Sequence, residues 1–388
     1  MTDFQDYLGW YHMLGMTIEV KALGARLVAA LRGVPLGYEI PLFPAGGSSF
    51  TMQGGPFAGA TIYFEHDPAG AVSAMRAGPW TLGRVNPEAL DDLPQVQRLL
   101  APPFELTPEK QARFAALWQQ ARVHASGDWI DYDLPEPLHE FVQYLTARDE
   151  VIFHGSNNQE IETFQPVRKS VELNDESGRG NIQGVYGTHD GLWAMFFAVV
   201  DRPRLKGSIR NGVLYFQNQA GETRPVYNFS INQEQLAERP YTRGALYLLP
   251  RMTFRRLELL PGVPANEWAS EAPVQPIAKL RLEPADFPFL EQIDGHDDGA
   301  LIRLSEISHA IRQAAVAAEL EGDRFAVSLP AEAEVAAQLE EYANGQRLVM
   351  PAARFEIQLE GGEVTLVVTS LPPAMQQVLA EAYAELLR

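Results

Sequence analysis

Apolar positions in the first third of the chain recur at two different spacings. Ile18, Leu23, Leu27 and Leu31 fall at helical intervals, and Gly33 with Pro35 stops the pattern, which predicts an amphipathic helix from Ile18 to Arg32. From Tyr38 to Glu65, short apolar runs such as Tyr38 to Phe43 and Ala60 to Phe64 alternate with Gly- and Pro-rich turns, as the strands of a meander do. Gly46-Gly47-Ser48-Ser49 and Gly54-Gly55-Pro56 lack the lysine and following hydroxyl of a phosphate-binding loop and are read as turns. Thr107 then caps a helix with Pro108 at its first position and Phe114, Leu117, Trp118 and Ala121 on one face. The acidic, proline-bearing stretch Asp128 to Glu136 reads as a boundary, and Pro137 to Arg148 as a helix presenting Leu138, Phe141, Val142 and Leu145. Together these elements predict a mixed α+β domain over residues 1–148.

The middle of the chain opens with Val151-Ile152-Phe153-His154-Gly155-Ser156, an apolar run with the character of a buried strand that ends in an imidazole, a bare glycine and a hydroxyl. A second strand is expected from Ile182 to Thr188, and Asp190 is placed to cap a helix carrying Trp193, Ala194, Phe196, Phe197 and Val200. Lys206 to Arg210 and Val213 to Gln217 read as strands around Asn211-Gly212, followed by strands at Gly244 to Leu249 and Gln275 to Leu282. Beyond Asp294, the polar cluster Gly295-His296-Asp297-Asp298-Gly299 lacks the regular acidic spacing of a calcium loop and reads as a linker. Helices are expected at Leu304 to Leu320, at Ala331 to Asn344 (ended by Asn344-Gly345) and at Pro373 to Leu387, with a hairpin of Arg354 to Leu359 and Glu363 to Thr369 about Gly361-Gly362. No internal repeat or low-complexity tract is present.

Composition narrows the function classes. A chain of 388 residues with 46% hydrophobic content is long enough for two or three domains with real cores. The balance of 31 Lys+Arg against 50 Asp+Glu, a formal charge of -19, disfavours binding to nucleic acid. Absence of cysteine rules out disulfides, thiolate nucleophiles and zinc–thiolate sites. Met1 to Met16 has neither the basic start nor the apolar core of an export signal, and the best apolar run, Leu192 to Val200, is about half the roughly 20 residues of a spanning helix. A cytoplasmic protein with no membrane partner is the expectation, and no metal site is assigned.

Three short motifs carry the candidate chemistry: His154-Gly155-Ser156, then Gly184-Val185-Tyr186, then Asn266-Glu267-Trp268. In this order they resemble the His-Tyr-Glu signature of ADP-ribosyltransferases related to diphtheria toxin and the poly(ADP-ribose) polymerases. The resemblance covers residues 149–293 and implies an α+β chain: a central ADP-ribosyltransferase-like split β-sheet domain flanked by mixed α+β domains at 1–148 and 294–388. It also implies NAD as co-substrate. His154 would bond a ribose hydroxyl, the Gly155 main chain would pair with the nicotinamide carboxamide, and Ser156 would bond nearby. Tyr186 would stack on the nicotinamide ring, with Phe196 or Phe197 closing the other face. Glu267 would bond the nicotinamide ribose and steady the positive charge that develops as the glycosidic bond breaks, which a carboxylate does and an amide does not.

The residues leave some choices open. Glu271 lies four positions beyond Glu267 as a rival carboxylate, although Asn266 and Trp268 complete the pattern around Glu267. Ala265, two residues before Glu267, stands where arginine-modifying members carry a second Glu or Gln, which argues against arginine as acceptor. His189 is close enough in sequence to line the same cleft, or to be an ordinary exposed or capping residue. Arg202, Arg204, Arg243, Arg251, Arg255 and Arg256 make the middle region locally basic, and several of them could face a pyrophosphate. The expected activity is transfer of ADP-ribose from NAD to a macromolecular, protein acceptor with release of nicotinamide. Hydrolysis of NAD on the same fold and a non-catalytic partner-binding module are the alternatives, while RNA 2'-phosphate transfer wants more basic site residues than the sequence places.

Overall fold

The computed structural model describes residues 4–387 apart from 14–15, 34–38, 79, 92, 94–96, 125, 170–181, 218–222, 261–262, 333, 350–352 and 372. Two compact units are present. One comprises Met1–Lys169, Ile182–Leu205 and Ile209–Gly295; the other contains Lys206–Ser208 and His296–Arg388.

The first unit begins with eight antiparallel strands: β1 (Gly9–Met13), β2 (Met16–Leu23), β3 (Arg26–Leu31), β4 (Glu39–Gly46), β5 (Ser49–Met52), β6 (Thr61–His66), β7 (Val72–Ala77) and β8 (Trp80–Val85). Each pairs with its neighbour in sequence, and β8 returns to β1 at Trp10↔Val85, Tyr11↔Arg84 and His12↔Gly83, so the sheet closes into a barrel. Its interior is filled by Tyr11, Val20, Leu27, Phe50, Ile62, Phe64 and Leu82, as expected of a barrel this small. The helix predicted over Ile18 to Arg32 is instead the β2–β3 hairpin. Leu23 pairs with Arg26 across a two-residue turn in which Gly24 adopts φ 62, and Ile18, Val20, Leu27 and Ala29 are buried at strand spacing. Alternation and β-branching outweighed the coincidental helical intervals.

After β9 (Leu99–Leu100) come α1 (Pro108–His124) and α2 (Leu138–Arg148). The Thr107 hydroxyl accepts from the Lys110 amide at 3.3 Å, the cap read from the sequence. Phe114, Trp118, Phe141 and Leu145 share one core with residues of the central sheet and its helix, so these two helices build the middle region rather than a separate domain. The central sheet contains β10 (Val151–Ser156), β11 (Arg168–Lys169), β12 (Gln183–Thr188), β15 (Gly244–Pro250), β16 (Arg255–Leu260), β17 (Val263–Ser270) and β18 (Ala278–Leu282), in the order β16-β17-β12-β10-β15-β18 with β11 beside β12. Helix α3 (Gly191–Val199) lies against it. A Cβ on Gly155 would stand 1.9 Å from the Ala194 carbonyl oxygen, and one on Gly244 would stand 2.0 Å from that of Ala198. Glycine on two neighbouring strands is therefore what lets successive turns of α3 press on the sheet.

A separate four-stranded sheet is built on the hairpin of β13 (Ile209–Gln217) and β14 (Thr223–Asn232), with β9 and, where the chain leaves this unit, β19 (Asp294–His296); the short α4 (Gln233–Leu236) follows β14. No turn occurs at Asn211-Gly212. Asn211 pairs with Phe229 within β13, and its side-chain oxygen accepts from the Trp193 indole at 2.7 Å.

The second unit contains α5 (Gly299–Ala314), β20 (Ala317–Glu321), β21 (Arg324–Pro330), α6 (Val335–Val349), β22 (Arg354–Glu360), β23 (Glu363–Thr369) and α7 (Pro373–Ala382), with strand order β20-β21-β23-β22. Two sequence expectations change here. The end of the predicted helix over Leu304 to Leu320 is the start of β20, which turns into β21 through Gly322 at φ 57. Helix α6 also runs through Asn344-Gly345: a Cβ on Gly345 would lie 2.5 Å from a Leu304 methyl, so this glycine admits a packed leucine and does not cap the helix.

The expected architecture is overturned. The chain opens with a true closed barrel in place of a mixed α+β domain, and the middle region consists of separate sheets with helices rather than one central split sheet. A closed eight-stranded antiparallel barrel is foreign to the open split sheet of diphtheria toxin and poly(ADP-ribose) polymerase folds, so the resemblance of the three motifs does not extend to the fold of this chain. Among the described residues no helix is long and apolar enough to cross a membrane.

Candidate active site

β10 pairs with β15 along its whole length, from Val151↔Pro250 to Ser156↔Ala245, whereas its pairing with β12 consists of Phe153↔Thr188. Beyond that pair the strands part, and the gap opens into a cleft of about 440 Å³. The apolar run Val151 to Phe153 is fully buried, which fixes the strand and delivers the next three residues to the cleft. His154, Gly155, Ser156, Tyr186, Phe197 and Glu267 all line it, joined by Arg168, Thr188, Trp193 and Arg202. Phe196 does not: it is fully buried, its ring 4.9 Å from that of Phe229 in the core. Consecutive helical residues point about 100° apart, and here that step puts Phe197 on the cleft side of α3 and Phe196 on the core side.

Glu267 sits directly across from Thr188 in the β12–β17 ladder, and Tyr186 faces Ala269 two positions along, so Tyr186, Thr188 and Glu267 project from one face. Glu271 is outside the cleft, in an exposed ion pair with Arg255 at 3.1 Å. The Tyr186 hydroxyl donates to the Ile182 carbonyl at 2.5 Å, and the Arg168 guanidinium lies over its ring at 5.1 Å. With the hydroxyl engaged inside the chain, the aromatic ring is what Tyr186 offers. The loop after β10 is pinned by Asn157, whose side chain donates to the Ala198 carbonyl at 2.9 Å and accepts from the Arg202 amide at 3.1 Å. The Ser156 hydroxyl accepts from the Asn158 amide at 3.1 Å.

His154 Nδ1 lies 2.7 Å from the Tyr186 carbonyl oxygen, so the ring donates there and Nε2 is left as an acceptor. Burial pushes this imidazole below its ordinary value of 6.5, opposed by that hydrogen bond and reinforced by Arg168. His189 and His139 are lowered by burial as well. The unfolded chain thus takes up protons near 6.5 that the folded chain takes up only at lower pH, so stability is present above that value and is lost as pH falls through the window beneath it. The urea midpoint is expected to be lower at about pH 5.5 than at about pH 7.5, and the drop to be smaller in His154→Gln. Equal drops in the two proteins would mean that His154 is not held neutral.

The start of α3 is anchored by Asp190, fully buried, which accepts from the Trp193 amide at 2.8 Å, the Tyr215 hydroxyl at 2.5 Å and the Tyr227 hydroxyl at 2.9 Å. Burial, reinforced by the neighbouring carboxylate, raises the pKa of both tyrosines and keeps them as donors. His189 stacks on Tyr215 at 5.3 Å and lines a different cavity. Of the six arginines singled out in the sequence, Arg202 reaches the cleft, while Arg204, Arg243, Arg251 and Arg255 face Asp201, Glu283, Asp149 and Glu271. Burial lowers the Arg202 pKa and Arg168 lowers it further, so the two cations that line the cleft lie within electrostatic reach of one another. Arg168 carries no local signal in the sequence, because its contact with Tyr186 depends on β11 returning to pair with β12. Among the described residues no group of three or more His, Asp or Glu side chains is gathered as a metal site requires. No protein-family model matches the chain, and no curated protein matches it with significance.

Proposed function

We propose that the cleft binds NAD as a substrate and cleaves its nicotinamide–ribosyl bond, transferring ADP-ribose to an acceptor. The observation that carries this reading is the convergence of Tyr186, His154 with Nε2 open, and Glu267 on one cleft. The lining suits each part of the dinucleotide. Tyr186 and Phe197 supply aromatic surface for a flat nicotinamide, and the parting of β10 from β12 leaves the Gly155 main chain to meet its carboxamide. His154 Nε2 accepts from a ribose hydroxyl, and Arg168 with Arg202 attracts the pyrophosphate. Glu267 acts where positive charge grows on the ribosyl carbon as the bond to nitrogen lengthens, so its contribution is greatest in the transition state.

Incubation with NAD labelled in the nicotinamide ring, followed by chromatography, tests the reading: free nicotinamide is expected. A folded chain that neither releases nicotinamide nor binds NAD by calorimetry overturns it. Tyr186→Ala is expected to weaken NAD binding about tenfold, the loss of one stacking contact, with a smaller effect on turnover. Water is a second acceptor to consider, because Glu267 is exposed and the reacting end of the cleft is open to solvent. Free ADP-ribose as the sole product would identify hydrolysis.

A further inference from the structure

Helix α3 ends in a mismatch. In a continuing helix the Ala198 carbonyl would accept from the amide four residues on, that of Arg202. Here the chain leaves the helix after Val199; the Arg202 amide donates to the Val200 carbonyl at 2.9 Å and the Asp201 amide to the Pro240 carbonyl at 2.8 Å. The carboxamide of Asn157 takes the vacated place. Its Nδ2 donates to the Ala198 carbonyl at 2.9 Å, and its Oδ1 accepts a second bond from the Arg202 amide at 3.1 Å. One side chain carrying both a donor and an acceptor thus bridges the two groups that the helix end parts. Asn157 is itself held in place. The Tyr247 hydroxyl of β15 donates to the Asn158 carbonyl at 2.8 Å and accepts from the Ile161 amide at 3.1 Å, while the Lys279 ammonium of β18 donates to the Gln159 carbonyl at 2.8 Å. Tyr247 and Lys279 are both buried, so the loop after β10 is tied down to the central sheet.

We propose that Asn157 is a positioning residue of the cleft, holding Arg202 toward the anion that the site binds, the pyrophosphate of NAD in the reading given above. The inference rests on that reading for the identity of the anion and on the two hydrogen bonds for the placement of Arg202. Arg202 lines the cleft with Arg168, and among the described residues no carboxylate pairs with it; Asp201, next to it, faces Arg204 at 4.0 Å. A guanidinium on a long, flexible stem is aimed only from fixed main chain, and fixing that main chain before the ligand arrives reduces the ordering that binding must supply. The same bridge steadies the last turn of α3, where Phe197 lines the cleft one residue before Ala198. Tyr186 and Glu267 stand on β12 and β17, outside this linkage, so the effect of Asn157 falls on binding and not on bond cleavage.

The test uses the full chain, with calorimetric titration of NAD and of inorganic pyrophosphate and with nicotinamide release at saturating NAD. Asn157→Ala is expected to weaken binding of both ligands about tenfold, as the loss of two ordinary hydrogen bonds warrants, and to lower the saturated rate less than about threefold. Asn157→Gln, with the same carboxamide one methylene longer, is expected to keep part of the affinity. Circular dichroism reports folding, and Asn157→Ser serves if Asn157→Ala does not fold. On an Arg202→Gln background, which has no guanidinium to place, adding Asn157→Ala should change NAD affinity less than about threefold. A full tenfold loss on that background, or no loss in Asn157→Ala alone, overturns the positioning role and leaves the NAD site standing. Pyrophosphate binding that depends on both Asn157 and Arg202, in a chain that neither binds NAD nor releases nicotinamide, overturns the NAD site and keeps Asn157 as the residue that places Arg202. A folded chain that binds neither ligand overturns both.

Discussion

Replacing Glu267 by glutamine is expected to slow nicotinamide release by roughly 10²–10³-fold, the cost of removing one preorganised charge from the point where charge develops. NAD affinity should change no more than a few-fold, because the amide keeps the shape and hydrogen-bonding reach of the side chain and the ground-state contacts lie with Tyr186, Gly155 and the arginines. Single-turnover release alongside calorimetric NAD titration separates the two quantities. Glu271→Gln should be silent in both, since its carboxylate belongs to an exposed ion pair with Arg255, an interaction worth about 0–1 kcal/mol at most. If Glu267→Gln turned over at the wild-type rate, the carboxylate would have no part in the reaction.

Gly155→Ala should have the largest effect on stability. The added methyl would meet the Ala194 carbonyl oxygen at 1.9 Å and the Ala198 amide nitrogen at 2.9 Å, both main-chain atoms of α3 that cannot turn aside as a side chain can. The helix must move away from the sheet as a body, at a cost of about 3 kcal/mol or more, the upper end of overpacking penalties. Gly83→Ala in β8, where nothing lies within 4 Å of the new methyl, is the control and should be close to neutral. Urea unfolding of both variants measures the difference. A Gly155→Ala chain as stable as the control would mean that α3 does not approach β10 this closely.

The two glycine substitutions also mark what the sequence could and could not reveal. The run Val151 to Phe153 announced a buried strand because three large apolar residues were followed by a change in chemistry, and its residues are among the most buried in the chain. Thr107 and Asp190 were legible as caps because capping is local. The function of Gly155 in packing was not legible, since it depends on a helix some forty residues away along the chain. The barrel was hidden for a related reason. Its closure is a pairing of β1 with β8, and a single hairpin such as β2–β3 carries apolar residues on both sides of its turn that also fit a helical repeat. Of the residues singled out in the sequence, those in strands are brought to one cleft, whereas the choice between Phe196 and Phe197 is made by rotation of a helix buried almost all round. Likewise, the cavity that His189 lines is also lined by Arg98, Trp80 and Arg256, far apart in sequence, with no local signal.

Closure of the barrel has a further consequence, in solubility rather than shape. A strand at the margin of a sheet offers unpaired amides and carbonyls to any passing chain, and a meander as rich in phenylalanine and tyrosine as β1 to β8 would be a strong template for misassembly. Joining β8 to β1 removes that template completely. The central sheet, which stays open, is guarded by other means: Asp128 and Ile130 exchange main-chain hydrogen bonds with Lys279 along β18, and β16 at the opposite margin is irregular in register and begins with two arginines. The aromatic content that fills the barrel is thus kept from becoming an aggregation hazard by the geometry of a single strand pair.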